Sequence, residues 1–328
     1  MKALATAAGL AALAALPLWM PGGPYDVNIT SQVMIWAVFA LGLNILVGYA
    51  GLVSLGQAGL FGFACYVAAW LIAAGTAQWI AAIAAIGLTL VLSAVFAVLS
   101  LRGTGISFLM ITLTLGEIVW GIAQRWVSLT GGDNGISVST RPAPFGISLN
   151  GATPFFYATF AMFVVMLGLV WRFVHSPLGA ALRGTRDQPR RMGALGYNVW
   201  LIRFLGFLIS GFAAAVAGLF FFYYNEFASP YLLSLTTSAE VVLMVIAGGA
   251  ATLLGPIVGA ALVLLMQDVA SSYIAHWNLV LGVIFVAIIL FMPEGLVPGL
   301  ARLLRRPASP PGPPRPAARA GTFGRRIS

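Results

Sequence analysis

The chain has 328 residues, 60% of them hydrophobic and 8% charged, with a formal net charge of +9 and a mean hydropathy of +0.98. A soluble domain carries about a quarter of its residues as Asp, Glu, Lys and Arg, so too few charges remain here to cover a water-facing surface, and lipid must be the solvent for most of the chain. The basic balance does not mark a nucleic-acid binder: seven of the seventeen Lys and Arg residues lie between Arg302 and Arg326, and Arg183, Arg186, Arg190 and Arg191 share one loop, a distribution typical of orientation signals.

Apolar runs of about 17–25 residues are long enough to cross the hydrocarbon core as helices. Ten are present, near 3–20, 31–50, 55–75, 78–100, 105–126, 154–174, 201–224, 237–254, 256–275 and 277–293. The first follows Met1-Lys2 and precedes Pro21-Gly22-Gly23-Pro24, the layout of a secretory signal. An uncleaved signal anchor is the expectation for a polytopic chain; cleavage, the alternative, removes one helix and leaves the remaining topology unchanged.

Between positions 42 and 62, Gly42, Gly48, Gly51, Gly56, Gly59 and Gly62 interleave with Asn44, Ser54 and Gln57. Glycine permits both close helix approach and local unwinding, and unwound backbone at membrane depth survives only where protein or a water-filled cavity covers it. Two readings stand: a broken helix lining a pathway, with Asn44, Ser54 and Gln57 as its polar residues, or tight helix packing. Cys65 is the single cysteine, so no intramolecular disulfide or cysteine cluster forms.

Three carboxylates fall inside predicted spans: Glu117, Glu240 and Asp268. Burying an ionised carboxylate there costs at least ~2.5 kcal/mol, and such residues usually face a cavity or a partner. Glu240 and Asp268 lie near span ends. Glu117 is nearer mid-span and is the candidate ion or proton site, the basis for an alternative reading as a secondary transporter.

Residues 127–153, with Thr130-Gly131-Gly132-Asp133-Asn134-Gly135, form an external loop rich in turn formers. Residues 175–200 form the main cytoplasmic loop. There His175-Ser176-Pro177 ends a helix and offers an N-cap with Pro at the first helical position. A short helix through Leu178 and Arg183 follows, and Met192-Gly193-Ala194-Leu195-Gly196 closes the loop. A small-residue surface with flanking arginines suits docking into a groove of another protein.

With the N-terminus inside, ten spans return the C-terminus to the cytoplasm. Fifteen cations then lie inside, and Arg125 and Arg141 alone lie outside. The expected fold is an all-α polytopic membrane bundle of about ten helices, some broken, over residues 1–300. Residues 301–328, a basic Pro/Arg-rich cytoplasmic tail, cannot bury a core and are expected to be disordered. His175 and His276 fall on opposite sides, and Lys2 is the only lysine, so no Walker lysine exists. The chain therefore reads as a non-enzyme without metal or cofactor, and any ATP hydrolysis must occur on another polypeptide.

Several ordered blocks resemble a known family. Leu41-Gly42-Leu43-Asn44-Ile45-Leu46-Val47-Gly48-Tyr49-Ala50-Gly51, then Ser54-Leu55-Gly56-Gln57-Ala58, the Thr130–Gly135 block, Gly248-Gly249 with Thr252, Gly255-Pro256-Ile257-Val258-Gly259-Ala260, and Pro293-Glu294-Gly295-Leu296 are similar in order and spacing to LivM-type permeases of the branched-chain amino-acid ABC transporters. The resemblance runs from about Ile35 to Pro298. It implies a multi-pass permease of the bacterial inner membrane that works with a homologous (LivH-like) permease subunit, two cytoplasmic ATP-binding subunits that hold the ATP, and a periplasmic solute-binding protein. It further implies that residues 177–196 are the coupling loop, with Gly179, Arg183, Arg186, Asp187, Gly193 and Gly196 at the ATPase interface. Three departures stand out: Gln57 where the family often has histidine, Ala250-Ala251 where a pair usually contains glycine, and Gln188-Pro189-Arg190-Arg191 in place of an acidic, Ala-rich stretch.

Overall fold

Long apolar runs with few charges fold as helices in lipid because every backbone polar group must be satisfied within its own segment. The computed structural model describes residues 23–138, 151–273 and 295–299, together with 282, 286 and 290. Helix α1 spans Pro24–Asn44 and continues as a π-helical turn, Ile45–Ala50. It is followed by α2 (Gln57–Ala73), α3 (Gln78–Ser100), α4 (Ile106–Arg125) and the short α5 (Val127–Thr130). Beyond the external loop come α6 (Ala152–Val174), the loop helices α7 (Pro177–Asp187) and α8 (Pro189–Ala194), and α9 (Val199–Asn225). A 3-10 turn, Pro230–Leu233, leads into α10 (Leu235–Gly248) and α11 (Gly255–Tyr273).

The protein is thus an all-α membrane bundle. Among the described residues, five segments are long and apolar enough to cross a membrane: Tyr25–Ala50, Gln78–Ser100, Ile106–Arg125, Ala152–Val174 and Val199–Asn225. The shorter apolar helices α2, α10 and α11 fall where three further spans are expected, and each abuts a break in the helix ladder. The apolar run 237–254 does not remain helical throughout: α10 stops at Gly248, where Gly249 adopts φ 115°. The first expected span and the 301–328 tail lie outside the described residues, as does the tenth span apart from residues 282, 286 and 290.

Helix α1 is the axis of the bundle. In its most apolar stretch 89% of residues are buried, and it touches α6, α9, α10 and α11. Lipid tails are as apolar as leucine, so close packing rather than water exclusion holds such helices together. A Cβ at Gly42 would lie 2.5 Å from the Ala213 Cβ, so α1 and α9 meet at a distance that only glycine permits. An aromatic cluster joins α1, α2 and α9: Phe39 and Phe61 stack at 4.6 Å, and Trp36 and Phe221 close around them.

Helices α3 and α4 lie outside this axis, with 28% and 22% of their most apolar stretches buried. Ile83, Leu88, Val91 and Val95 on α3, and Met110, Ile118 and Ile122 on α4, are exposed, as a lipid-facing or subunit-facing surface requires. Exposed tryptophans mark helix ends: Trp79 starts α3, Trp126 caps α4, Trp171 lies in the last turn of α6, and Trp200 starts α9. Indole rings favour the membrane–water boundary for their apolar body and polar tip.

Contacts sort the helix ends into two groups. At one end Tyr25 Oη donates to Asp268 Oδ1 at 2.8 Å, and Ile136–Ser137 pairs antiparallel with Phe227–Ala228. At the other end the α7 loop packs against the π-helical turn and α9. The two expected outer-end carboxylates, Glu240 and Asp268, both accept hydrogen bonds from tyrosines, Tyr231 at 3.5 Å and Tyr25.

Candidate coupling and translocation site

Two interrupted helices meet at one point. At the end of α1 the ladder widens to a π-turn, Gly51 takes the left-handed conformation at φ 69°, and residues 51–56 are non-helical before α2 begins. Opposite, α10 ends, Ala251 adopts φ 62°, and α11 begins at Gly255. A non-glycine residue in that region is strained and persists only where its surroundings hold it.

Asn44 supplies that hold. It is fully buried; its Nδ2 donates to the Thr252 carbonyl at 2.8 Å, and its Oδ1 accepts from the Ala251 N–H at 3.0 Å. An amide suits the position because it offers a donor and an acceptor side by side. Both polar atoms are engaged in this bridge, so Asn44 joins the two breaks. Gly48 lies beneath the bridge, where a Cβ would sit 2.3 Å from both the Ala251 nitrogen and Asn44 Oδ1.

The α7 helix forms as its sequence signals predict. Ser176 is the N-cap, accepting from the Gly179 N–H at 3.2 Å, and Pro177 occupies the first turn. The helix runs to Asp187, further than the expected end near Arg183, and α8 follows as a second turn of helix. From α7, Arg186 Nη1 donates to the Gly48 carbonyl, and the Arg183 guanidinium carbon lies 6.0 Å from the Tyr49 ring centroid, a cation–π contact. Arg203 of α9 donates to the Thr185 carbonyl at 2.8 Å. The loop is thereby tied both to the π-turn of α1 and to the base of α9.

The six residues assigned to the coupling loop fall into two groups. Gly179 is buried, and a Cβ there would lie 2.3 Å from the Phe173 carbonyl, so it packs α7 against α6. Arg183 and Arg186 reach back to the π-turn. Asp187, Gly193 and Gly196 are exposed; Gly193 has open space around it, and Gly196 takes φ 86° as α8 ends. Leu195 and Tyr197, exposed beside them, were not singled out from sequence, although apolar side chains on a polar loop are a recognisable docking signal.

Ser54 and Gln57 come together at the start of α2. Ser54 Oγ accepts from the Gly56 N–H at 3.4 Å, Thr112 Oγ1 from the Leu55 N–H at 3.3 Å, and Ser238 Oγ from the Ala58 N–H at 3.2 Å. Gln57 is 1% exposed, and neither its Oε1 nor its Nε2 has a partner among the described residues. Thr112 and Ser238 were missed from sequence because hydroxyls scattered in apolar runs carry no pattern; only the fold brings α4 and α10 to this helix start.

Glu117 does not join either cluster. It follows Gly116, whose Cβ position lies 3.1 Å from the Gly56 Cα, but it is half-exposed, and no hydrogen bond or ion pair to it is found among the described residues. Tyr231, in the 3-10 turn outside the spans, has its phenol raised above the ordinary value by burial and then by the Glu240 carboxylate, and so remains a neutral donor. No group of three potential metal-ligating side chains occurs among the described residues.

Comparison with known proteins places the chain in a family. Residues 26–291 match the profile of a family described as "Branched-chain amino acid transport system / permease component". The chain is 28% identical over 301 residues to the high-affinity branched-chain amino acid transport system permease protein LivM of Salmonella typhimurium, covering 83% of this chain and 70% of the relative. It is 28% identical over 300 residues, with the same coverage, to the protein of that name from Escherichia coli. No solved structure matches the chain.

Proposed function

The chain belongs to the permease family of branched-chain amino acid transport systems, and on that premise we propose that it is the translocating subunit of an ATP-binding-cassette importer. It resides in the bacterial inner membrane beside a homologous permease, with two cytoplasmic ATPase subunits that bind the nucleotide and a periplasmic binding protein that delivers the solute. Branched-chain amino acids, or a related small polar solute, are the cargo. The binding protein selects it, and this chain gates it.

The observation that carries this reading is the attachment of α7 to the π-turn of α1 through Arg186 and Gly48. A loop pushed by an ATPase partner needs a direct mechanical connection to a helix that can change its winding. The π-turn supplies the helix, Arg186 supplies the connection, and Asn44 passes the displacement to the break between α10 and α11. Packed helices have discrete arrangements, so a small shift of α7 is converted into a rigid-body change of the bundle. The exposed face at Asp187, Gly193 and Gly196 is the side left for the ATPase. ATP acts by binding the partner subunits more tightly in one of the two states.

Glu117 gives the secondary-transport reading no support, since it joins no polar cluster. Uptake into proteoliposomes holding the assembled transporter tests the choice. The ATP-driven importer takes up labelled leucine only with binding protein and internal or external ATP on the ATPase side, and a protonophore leaves the rate unchanged. Uptake that needs no ATP and collapses with the protonophore would overturn the reading.

A further inference from the structure

The start of α2 holds an unexplained polar group. In a membrane-embedded core, an amide with neither its donor nor its acceptor satisfied is costly and rarely kept without a reason. Among the described residues Gln57 is in this condition, at the first residue of a 17-residue helix that begins after a non-helical stretch. Three hydroxyl groups from three segments converge on the same backbone: Ser54 from the preceding turn, Thr112 from α4 and Ser238 from α10. Their oxygens occupy the N–H groups of Leu55, Gly56 and Ala58, so the helix start is already tied to the elements that would move with it.

We propose that this helix start, with Gln57 as its recognising side chain and Ser54 and Ser238 beside it, is an occluded subsite for a zwitterionic amino acid in transit; the inference rests on the transporter reading above. A zwitterion presents an acceptor carboxylate and a donor ammonium a short distance apart. A neutral amide offers the complementary pair, Nε2 to the carboxylate and Oε1 to the ammonium, without net charge. The positive end of an interrupted helix favours the carboxylate side of the same solute. Hydroxyls adapt, because each can donate as well as accept: as α2 and α10 part, Ser54 and Ser238 can turn from backbone N–H groups to the solute. A site built from neutral groups binds weakly, and weak binding is what a passage needs so that the solute leaves again.

In the described arrangement Gln57 is closed off from solvent, which makes this the shut form of the passage. Its unmet hydrogen bonds favour reopening when solute arrives. In the shut form Ser238 holds the α2 start against α10, and Gln57 is the group left to meet the solute first.

The test uses the complete transporter with Gln57→Met, a swap of nearly conserved volume that removes both unpaired atoms. Two properties are read together: the melting temperature of the assembled complex, and ATP-driven uptake of labelled leucine. A solute-binding role predicts that uptake falls about tenfold or more, the loss of one or two hydrogen bonds in a dry site, while the melting temperature is equal to or above that of the wild type because an unsatisfied polar group has gone. Gln57→Glu, which sets a carboxylate against the solute carboxylate, loses uptake as well. Uptake within about twofold of wild type in Gln57→Met overturns the subsite, the threshold being far below the worth of a hydrogen bond. Reduced uptake accompanied by a lower melting temperature in both variants overturns it too, because Gln57 is then structural. If the wild-type complex carries no leucine, isoleucine or valine with ATP, the amino-acid cargo fails and the subsite falls with it, whereas ATP-driven uptake of another solute leaves the importer reading standing.

Discussion

Replacing Asn44 with leucine removes the bridge between the two helix breaks while keeping the number and branching of the side-chain heavy atoms. Two buried backbone groups lose their partners, the Ala251 N–H and the Thr252 carbonyl. Each such loss costs about 1–3 kcal/mol in a protein interior, an upper range of about 2–6 kcal/mol for the pair. Interhelical hydrogen bonds in membranes average about 0.6 kcal/mol each, a lower range near ~1.2 kcal/mol. Ala251 and Thr252 lie between α10 and α11 rather than inside a helix, so intrahelical rescue is closed to them and the protein-interior range of about 2–6 kcal/mol applies. With about 2–4 °C per kcal/mol, the assembled complex should melt at least about 4 °C below wild type in a detergent thermal-shift assay. A shift under about 1 °C would refute the idea that Asn44 holds the two breaks together.

Gly48→Val places carbons where the Ala251 nitrogen and Asn44 Oδ1 already sit at 2.3 Å from a Cβ; such overpacking costs about 1–3 kcal/mol and should lower the yield of assembled complex measured by size-exclusion chromatography. Gly193→Trp meets open space within this chain, so insertion and folding should be normal while ATP-driven uptake falls about tenfold, the scale of a disrupted interface contact; undiminished uptake removes the exposed face of α8 from the ATPase contact. Ser176→Ala deletes the N-cap of α7 and should cost about 1 kcal/mol, read as faster proteolysis within residues 175–200 of the purified complex.

Much of the architecture is readable from sequence because lipid imposes a simple rule: long runs without charge become helices. Helices α3, α6 and α9 fall within two residues of the expected runs 78–100, 154–174 and 201–224. The N-cap at Ser176 is readable because a hydroxyl before proline has one favoured use. The break after α1 is signalled by its glycines, which serve separately: Gly51 turns the chain and Gly42 allows close packing. The end of α10 is hidden, because Gly248-Gly249-Ala250-Ala251 is apolar and continues the hydrophobic run without interruption. Long-range partners are hidden for another reason. Arg186 and Gly48 are 138 residues apart, and Asn44 and Thr252 are 208 apart; an arginine in a basic loop looks like an orientation signal until the fold shows the carbonyl it reaches.

The role of Asn44 changes most between sequence and structure. Placed among the glycines it reads as a polar pathway residue, yet its two polar atoms are spent on backbone. Gln57 differs in having no such partners among the described residues. The same amide chemistry thus occurs in two conditions, one spent on backbone and one without a partner among the described residues, and burial alone does not distinguish them.

The central claim is that α7 drives the broken end of α1 through Arg186. The measurement that tests it most directly is the number of solute molecules carried per ATP hydrolysed by the assembled transporter, compared between wild type and Arg186→Ala. A charge-assisted hydrogen bond is worth about 1.5–3 kcal/mol, so the account predicts a ratio lower by about tenfold or more, with ATP hydrolysis continuing. An unchanged ratio in Arg186→Ala would contradict it.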